Sequence, residues 1–400
     1  MRLVHLSDLH LGFRQYQRMT PGGINQREAD IARSFQTAIE RVVELHPELV
    51  VIGGDVFHNV RPTNPAIVHA FLQFSRLRTA LPDTRVVIVA GNHDTPRAAE
   101  TGSILRLFRE LGIQVAYTEA ERFLFRELDC AVLAVPDVPG RRPSLTPQPG
   151  VRHNVLLLHG EVQGMLPPHV AGADRAAVEI PLAELGASRW DYVALGHYHV
   201  YRQIEANAYY SGSIDYTSAN SWGELQEERL AGVPGKGLIE HDLATGAHSF
   251  HPLPPSRQLV DLPAISARGL TVAEVDDRIR RMVEQCDGGI EDRIVRLVVR
   301  DLPRHIARDL DHRALREYKR RALHFHLDSR RPEIVRLHGQ ASPGRRPSLA
   351  EVVREKLQSR VLEGDIDRAQ LVELGLRYLR EAETAVVAAP MVEAVVDGSP

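Results

Sequence analysis

Seven side chains with the chemistry of metal ligands occur in the first half of the chain, each at or just after the end of a short apolar run. They are two aspartates, one asparagine and four histidines: Asp8, His10, Asp55, Asn92, His159, His197 and His199. Functional groups gather at the carboxyl ends of parallel strands in open α/β sheets, so we expect these side chains to meet at one edge of a layered core. Any one of the motifs alone would be weak, and it is their recurrence at successive strand ends that supports the prediction.

This donor set suits a pair of divalent cations. Imidazole together with carboxylate and amide oxygens favours manganese or iron, with zinc as a further option. The chain has only 2 cysteines, which excludes a multi-cysteine zinc site. A carboxylate can bridge two cations, and such a pair stabilises the attacking and leaving oxygens of a phosphoryl displacement and supplies hydroxide at neutral pH. The motifs therefore predict phosphate-ester chemistry.

The elements that must position these residues alternate between strand-like and helix-like patterns through residues 1–255. Continuous apolar runs such as Leu49–Ile52 and Val86–Val89 predict strands covered on both faces, whereas Ile31–Val43 has helical spacing. We therefore predict an α/β fold with a layered sandwich core. Prolines at positions 252, 254 and 255 mark the end of this domain.

Two smaller units follow the first domain. Residues 256–340 mix strand-like and helix-like patterns and are locally basic, which predicts a smaller α+β cap domain. A linker over 341–347 precedes a C-terminal helix pair, 348–362 and 367–381, within a unit of residues 345–384. The apolar stripes of these helices need a surface to cover them, either a partner or the chain's own cap domain. Residues 385–400 are expected to form a poorly ordered tail.

Composition excludes several classes of protein. The 400 residues carry a net charge of −3, so the chain as a whole is not a basic polyanion binder. Its 2 cysteines exclude a disulfide scaffold. The sequence has no apolar run long enough to predict a membrane span and no signal-peptide pattern at its start, so we expect a cytoplasmic protein. Among the 49 basic residues only three are lysines: Lys236, Lys319 and Lys356.

The chain resembles the calcineurin-like metallophosphoesterases in five motifs: Asp8-Leu9-His10, Gly54-Asp55, Gly91-Asn92-His93-Asp94, His159 and Gly196-His197-Tyr198-His199. More narrowly, the stretches His5 to Gly12, Gly54 to His58 and Arg61-Pro62 resemble those of the SbcD-type DNA double-strand-break repair nucleases. The cap and the final helix pair also fit this family, so the resemblance covers nearly the whole chain. Ser211 departs from it, because the family usually has proline before Gly-Ser.

The resemblance implies a role for each motif residue. Two manganese ions would be held by Asp8, His10 and His199 on one side and by Asn92, His159 and His197 on the other, with Asp55 bridging them. His93 would contact the scissile phosphate and stabilise charge or protonate the leaving oxygen. Asp94 would orient His93, and His58 would be a second phosphate contact.

The resemblance also implies a substrate and partners. The chain would be a manganese-dependent DNA nuclease, with 3′-to-5′ exonuclease action on duplex ends and endonuclease action on single strands or hairpins. It would work at the nucleoid with an SbcC-type coiled-coil ATPase, docked on the final helix pair, and as a homodimer through helices around residues 68–72 and 105–108. Several basic residues could contact DNA phosphates: Arg14, Arg18, Arg61, Arg97, Arg316, Lys319 and Arg320.

Two other functions stay open on the sequence alone. The metal core would equally suit a phosphatase or a small-molecule phosphodiesterase. A second alternative is a non-catalytic, metal-bearing scaffold that docks the ATPase to DNA. The presence of both Asp55 and His93 argues against the scaffold.

Overall fold

The structure is a computed structural model that describes residues 1–96, 102–140, 144–164, 176–332, 348–359 and 367–387. The chain divides into two units, Met1–Pro332 and Glu333–Pro400. The strands are β1 (Arg2–Leu6), β2 (Leu49–Ile52), β3 (Arg85–Val89), β4 (Gln114–Ala116), β5 (Glu121–Phe125), β6 (Cys130–Val135), β7 (His153–His159), β8 (Glu161–Val162), β9 (Glu179–Ile180), β10 (Tyr192–Gly196), β11 (Arg202–Glu205), β12 (Ala208–Tyr210), β13 (Gly237–Asp242), β14 (His248–Pro252), β15 (Leu259–Ser266), β16 (Ile294–Arg300) and β17 (His324–Ser329).

The α-helices among the described residues are α1 (Gln26–Leu45), α2 (Asn64–Ala80), α3 (Leu182–Leu185), α4 (Ser221–Ala231), α5 (Val272–Glu284), α6 (Arg304–Asp309), α7 (His312–Arg321), α8 (Leu349–Ser359) and α9 (Arg368–Val387). Short 3₁₀ helices cover Ile104–Leu111, Arg126–Leu128 and Ala187–Arg189. None of these helices combines the length and the apolar character needed to cross a bilayer.

Two six-stranded sheets form the centre of the first unit. One has the order β14-β13-β1-β2-β3-β4, in which β1 to β4 are parallel and the β13–β14 hairpin is antiparallel. The other has the order β11-β12-β10-β7-β6-β5, in which β12, β10, β7 and β6 are parallel. Parallel strands end at a common edge, so both sheets can present groups from several strand ends together.

The predicted strands carry two apolar faces because each sheet is covered on both sides. In β2, Val50 and Ile52 pack toward α1 and α2, whereas Leu49 and Val51 pack between the two sheets. In β7, Val155 and Leu157 face the space between the sheets, and the alternate residues pack on the opposite face. The period of two, with both faces buried, is the physical basis of the continuous apolar runs in the sequence. The prediction of a layered α/β core is confirmed.

A third sheet of three parallel strands, β15-β16-β17, belongs to the cap part of the first unit. It has its own apolar core, which includes Val275 and Ile279 of α5 and Val295 and Phe325 of the sheet. Arg257, at the start of this region, makes an ion pair with the buried Asp30 of α1, at 2.7 Å from Nε. The cap therefore has a separate core and a polar attachment to the first domain.

The second unit contains α8 and α9. Ser348 and Glu351 form a capping box at the start of α8: the Glu351 carboxylate accepts the Ser348 N–H at 2.6 Å, and the Ser348 hydroxyl accepts the Glu351 N–H at 3.3 Å. The α9 helix continues through Val387, beyond residue 385, where we expected the tail to start. The predicted linker over 341–347 and the rest of the tail, 388–400, lie outside the described residues.

Candidate metal centre

The seven predicted ligands come together at the carboxyl ends of strands from both large sheets. Asp8 and His10 follow β1, Asp55 follows β2 and Asn92 follows β3 in the first sheet, while His159 ends β7 and His197 and His199 follow β10 in the second. Five of the seven are buried, and the other two, Asn92 and His199, are partly exposed at the rim of the cleft. Convergence at the strand ends is as the sequence predicted.

The donor atoms of the seven predicted ligands form two groups. In the first, Nε2 of His10 lies 3.0 Å from Nε2 of His199, and one ligand atom each from these rings and Asp8 lie within 4.8 Å of one another. In the second, Oδ1 of Asn92 lies 3.0 Å from Nε2 of His159 and 3.2 Å from Nδ1 of His197. These are the two groups that the family resemblance implied.

Asp55 lies between the two groups. Its Oδ2 is 3.7 Å from Nε2 of His10 in one group and 3.6 Å from Nε2 of His159 in the other. Gly91 makes this approach possible, because a Cβ atom at that position would overlap the Asp55 carboxylate. The carboxylate is therefore placed to interact with cations in both groups.

The far side of each histidine ring fixes which nitrogen faces the centre. Nδ1 of His159 is 2.6 Å from the carbonyl oxygen of Gly53, and Nδ1 of His199 is 3.2 Å from the Glu224 carboxylate. Since a carbonyl or carboxylate oxygen can only accept a hydrogen bond, we assign the proton to Nδ1 in both rings. Nε2 then presents a lone pair to the centre, which is the form that binds a metal ion.

His197 is fixed in the same way, because its Nε2 lies 3.2 Å from the Glu161 carboxylate and its Nδ1 faces Asn92. In His10, Nδ1 lies 3.3 Å from Nδ1 of His58 and Nε2 lies 3.0 Å from Nε2 of His199, so either nitrogen can be the donor. Three of the four rings therefore turn a hydrogen-bond acceptor toward the centre.

These residues fit divalent cations. Acceptor atoms converge in the second group, where Oδ1 of Asn92 lies 3.0 Å from Nε2 of His159, and a divalent cation suits such a set of lone pairs. Burial raises the pKa of Asp55 and, together with neighbouring histidines, lowers the pKa of His10. Burial thus opposes charge of either sign on the isolated side chains, and a bound cation would stabilise the carboxylate and the neutral ring at once.

His93 and His58 line the cleft beside the ligands, with their rings stacked at 5.0 Å between centroids. Nδ1 of His93 donates to the carbonyl oxygen of His58 at 2.7 Å. The expected orientation of His93 by Asp94 is wrong. The two oxygens of Asp94 accept backbone N–H groups of Val56, Phe57 and Gly91 at 2.9–3.1 Å, so this carboxylate ties the loops after β2 and β3 together. Burial and the nearby Asp55 raise the pKa of Asp94 to about 7.

The cleft beside the ligands has a volume of about 460 Å³. Its walls are formed by the loop after β1, the His197–Val200 segment and the start of α4. Arg14 lines the cleft with a largely exposed side chain and pairs with Glu28 at 2.7 Å. This opening is large enough to admit part of a nucleotide-sized substrate next to the donor groups.

The other candidate DNA contacts are distributed differently. Arg18 donates to the backbone carbonyls of Arg320 and Ala322 at 2.9 Å, so it fastens the loop after β1 to the cap instead of standing free for phosphate. Arg61, Arg316 and Lys319 are exposed, and Arg320 is exposed but pairs with Glu317 at 2.7 Å. Arg97 lies outside the described residues.

Sequence reasoning missed the two carboxylates behind the histidines, Glu161 and Glu224. Glu161 had a usable signal, because it follows His159 and Gly160 directly. Glu224 had none, since it lies 25 residues beyond His199 and reaches it only because α4 folds back over the cleft.

The layered α/β core and the paired donor groups at its strand ends define a metal-dependent phosphoesterase core. The family model for calcineurin-like phosphoesterases matches residues 1–201, half of the chain, and the chain belongs to this family. The resemblance found in the sequence is therefore confirmed.

The curated relatives point to one kind of protein within the family. The chain is 26% identical over 260 residues to the DNA double-strand break repair protein Mre11 of Methanocaldococcus jannaschii, which covers 61% of this chain and 63% of that protein. It is 28% identical over 253 residues to the Mre11 of Methanosarcina mazei, covering 60% and 37% of the two chains. It is 26% identical over 239 residues to the Mre11 of Sulfolobus acidocaldarius, covering 58% and 56%. The chain thus spans about half the length of the curated relatives that it matches.

Proposed function

We propose that the protein is a manganese-dependent DNA nuclease of double-strand break repair. The observation that carries the proposal is the convergence of two donor groups around Asp55, in a chain whose relatives are DNA double-strand break repair proteins. The ligands would be Asp8, His10 and His199 for one cation and Asn92, His159 and His197 for the other, shared through Asp55. Carboxylate, amide and imidazole donors support manganese as the ion.

The chain's own residues would bind and orient the phosphodiester. Two divalent cations in the centre would neutralise phosphate charge and supply hydroxide at neutral pH. His93, held at Nδ1 by the His58 carbonyl, would use Nε2 to stabilise the phosphate or to protonate the leaving oxygen. The His58 ring would contact the phosphate from the same wall of the cleft. Asp94 would keep the loops that carry Asp55 and His93 at a fixed separation.

The family resemblance supports the finer parts of the proposal: 3′-to-5′ exonuclease action on duplex ends, endonuclease action on single strands or hairpins, and work at the nucleoid. The cap would position DNA beside the cleft. The α8–α9 pair would dock an SbcC-type coiled-coil ATPase, and its exposed Leu349 and Tyr378 supply apolar surface for that contact. The exposed Val68 and Leu72 of α2 would form the homodimer contact, whereas Leu105 and Phe108 are fully buried in the core.

Digestion of end-labelled duplex DNA with Mn²⁺ tests the proposal. We expect shortening of the labelled strand, and we expect His93→Gln to reduce the rate by about 10²–10⁴-fold while manganese stays bound. His46→Gln, the same change at an exposed histidine directly after the end of α1, is the matched control. Loss of metal together with activity in the His93 variant would contradict the role assigned to His93.

A panel of small phosphoesters assayed beside the DNA separates the alternatives. Turnover confined to p-nitrophenyl phosphate, bis-p-nitrophenyl phosphate or a cyclic nucleotide would replace the nuclease by a phosphatase or phosphodiesterase. Full manganese loading with no turnover of any substrate would favour the scaffold.

A further inference from the structure

Lys236 is a buried lysine in a chain whose basic residues are almost all arginine. Only three of its 49 basic residues are lysines, and the side chain of this one is 1% exposed. Its ammonium group makes three polar contacts: to the backbone carbonyl of His199 at 2.7 Å, to Glu224 at 2.6 Å and to Glu228 at 3.0 Å. The first two contacts are hydrogen bonds and the third is an ion pair.

Two of these contacts lead to the same metal-ligand candidate. Lys236 holds the backbone of His199 directly, through its carbonyl oxygen. It also holds Oε2 of Glu224, whose Oε1 lies 3.2 Å from Nδ1 of His199. His199 is thus fixed at its backbone and at the far side of its ring by one cation and its carboxylate partner.

The rest of the network anchors Lys236 itself. Glu228 accepts a hydrogen bond from Tyr216 at 2.6 Å as well as pairing with Lys236, and the ammonium lies 4.7 Å from the centre of the Tyr216 ring. A compact ammonium can satisfy three acceptors that converge on one point, whereas the flat guanidinium of arginine spreads its donors in a plane. This geometry explains a lysine at a position where the chain would otherwise carry arginine.

We propose that Glu224 and Lys236 form a positioning pair that holds His199 as a cation ligand. Glu224 keeps the proton of the His199 ring on Nδ1, so that Nε2 faces His10. Lys236 holds both Glu224 and the His199 backbone in place. The inference rests on the metal centre of the proposed function. It adds two residues, from α4 and from the segment before β13, whose assigned role is exerted through His199.

Manganese binding, measured by the EPR signal of free Mn²⁺ during titration, tests the pair. We expect wild type to bind two ions per chain. In Glu224→Gln and in Lys236→Met, one of the two ions should bind about 10–100-fold more weakly while the other keeps its affinity. Glu205→Gln is the matched control, because it is the same change at an exposed glutamate at the end of β11. It should bind both ions as wild type does.

The double variant Glu224→Gln/Lys236→Met shows whether the two residues act as one unit. If Lys236 acts through Glu224, the affinity for the weakened ion should be about the same in the double variant as in Glu224→Gln alone. Thermal unfolding in EDTA is measured beside each titration, and if Lys236→Met does not fold, the near-isosteric Glu224→Gln decides alone. Wild-type affinity for both ions in a folded Glu224→Gln would overturn the inference, as would equal weakening of both ions. Failure of wild type to bind two ions would instead refute the metal centre, and two ions bound without DNA digestion would refute only the nuclease.

Discussion

Asp55→Asn should make the metal-free protein more stable and the manganese-loaded protein less stable than wild type. The substitution keeps the size of the side chain and an oxygen that can accept the His93 N–H, which Oδ1 of Asp55 accepts at 2.9 Å. It removes the charge that lies 3.6–3.7 Å from a ring of each donor group. The two effects have opposite signs because the same charge is unfavourable when buried alone and favourable beside cations.

The sign of the stability change in the metal-free protein follows from the pKa of Asp55. Burial, reinforced by repulsion from Asp8, raises the pKa of Asp55 above its ordinary value. A carboxyl whose pKa is raised on folding destabilises the native state at a pH above both values, and this penalty disappears as the pH falls below the unfolded value. Asparagine has no charge to bury, so the melting temperature of the variant in EDTA should exceed that of wild type at pH 7.

The magnitude in the loaded state follows from linkage. A ligand at 100 times its Kd stabilises the folded state by about 2.7 kcal/mol per site. At roughly 2 °C per kcal/mol for a large domain, the melting temperature of wild type should rise by about 5 °C for each bound cation. Asp55→Asn should lose most of this gain at both sites, because its lost charge faces both groups.

Differential scanning calorimetry in EDTA and in Mn²⁺ measures both states. The order of the two melting temperatures should reverse between the conditions. Asp83→Asn, the same change at an exposed turn, should follow wild type in both. A manganese-induced shift in Asp55→Asn equal to that of wild type would refute the shared role of Asp55.

Three other perturbations are expected to have the following effects. Arg27→Met should lower the free energy of unfolding in urea by about 3–5 kcal/mol, because it removes the guanidinium that lies 3.1–3.3 Å from the buried Asp30 and Asp215. A decrease below about 1 kcal/mol would show that these ion pairs do not stabilise the protein. Burial and a neighbouring histidine lower the pKa of His248 to about 4, so its contribution to stability is present above about pH 6.5 and is lost as the pH falls toward 4. His248→Phe should therefore flatten the pH dependence of unfolding over that range, and an unchanged slope would contradict this assignment. A chain ending near Pro343 should keep nuclease activity and lose the ATPase in a pull-down assay, whereas retained binding would contradict docking on α8 and α9.

The sequence predicted which side chains meet at the strand ends, because strand ends are a local signal. An apolar run such as Leu49–Ile52 stops where the polar segment with Asp55 begins, and parallel strands bring such segments to one edge without any knowledge of loop structure. The layered core followed from the same runs. What the sequence could identify was therefore the residues that belong to strands or follow them at once.

Contacts between distant segments could not be predicted in this way. Arg18 meets the cap at Ala322, 304 positions along the chain, and no local pattern marks it as an attachment to the C-terminal end of α7. Asp94 was expected to hold His93 because it is the next residue, but its carboxylate faces the loop after β2. Proximity in sequence was a poor guide to which side chain each carboxylate contacts.

The backbone is strained at several of the candidate ligands. Asp8, His10, Asp55 and His197 all have positive φ angles, of 53°, 45°, 49° and 103°. Non-glycine residues in sparsely populated regions cost about 1–3 kcal/mol each and persist only where the surroundings hold them. Backbone hydrogen bonds support two of these residues. The N–H of Asp8 donates to the carbonyl oxygen of Gly54 at 3.0 Å, and the N–H of His10 donates to the carbonyl oxygen of Asp55 at 2.8 Å. Glycine would relieve the strain at each position but would remove the donor atom. The chain therefore keeps strained non-glycine side chains at four of the seven positions whose donor atoms converge, which is the pattern expected where the side chain itself is needed for function.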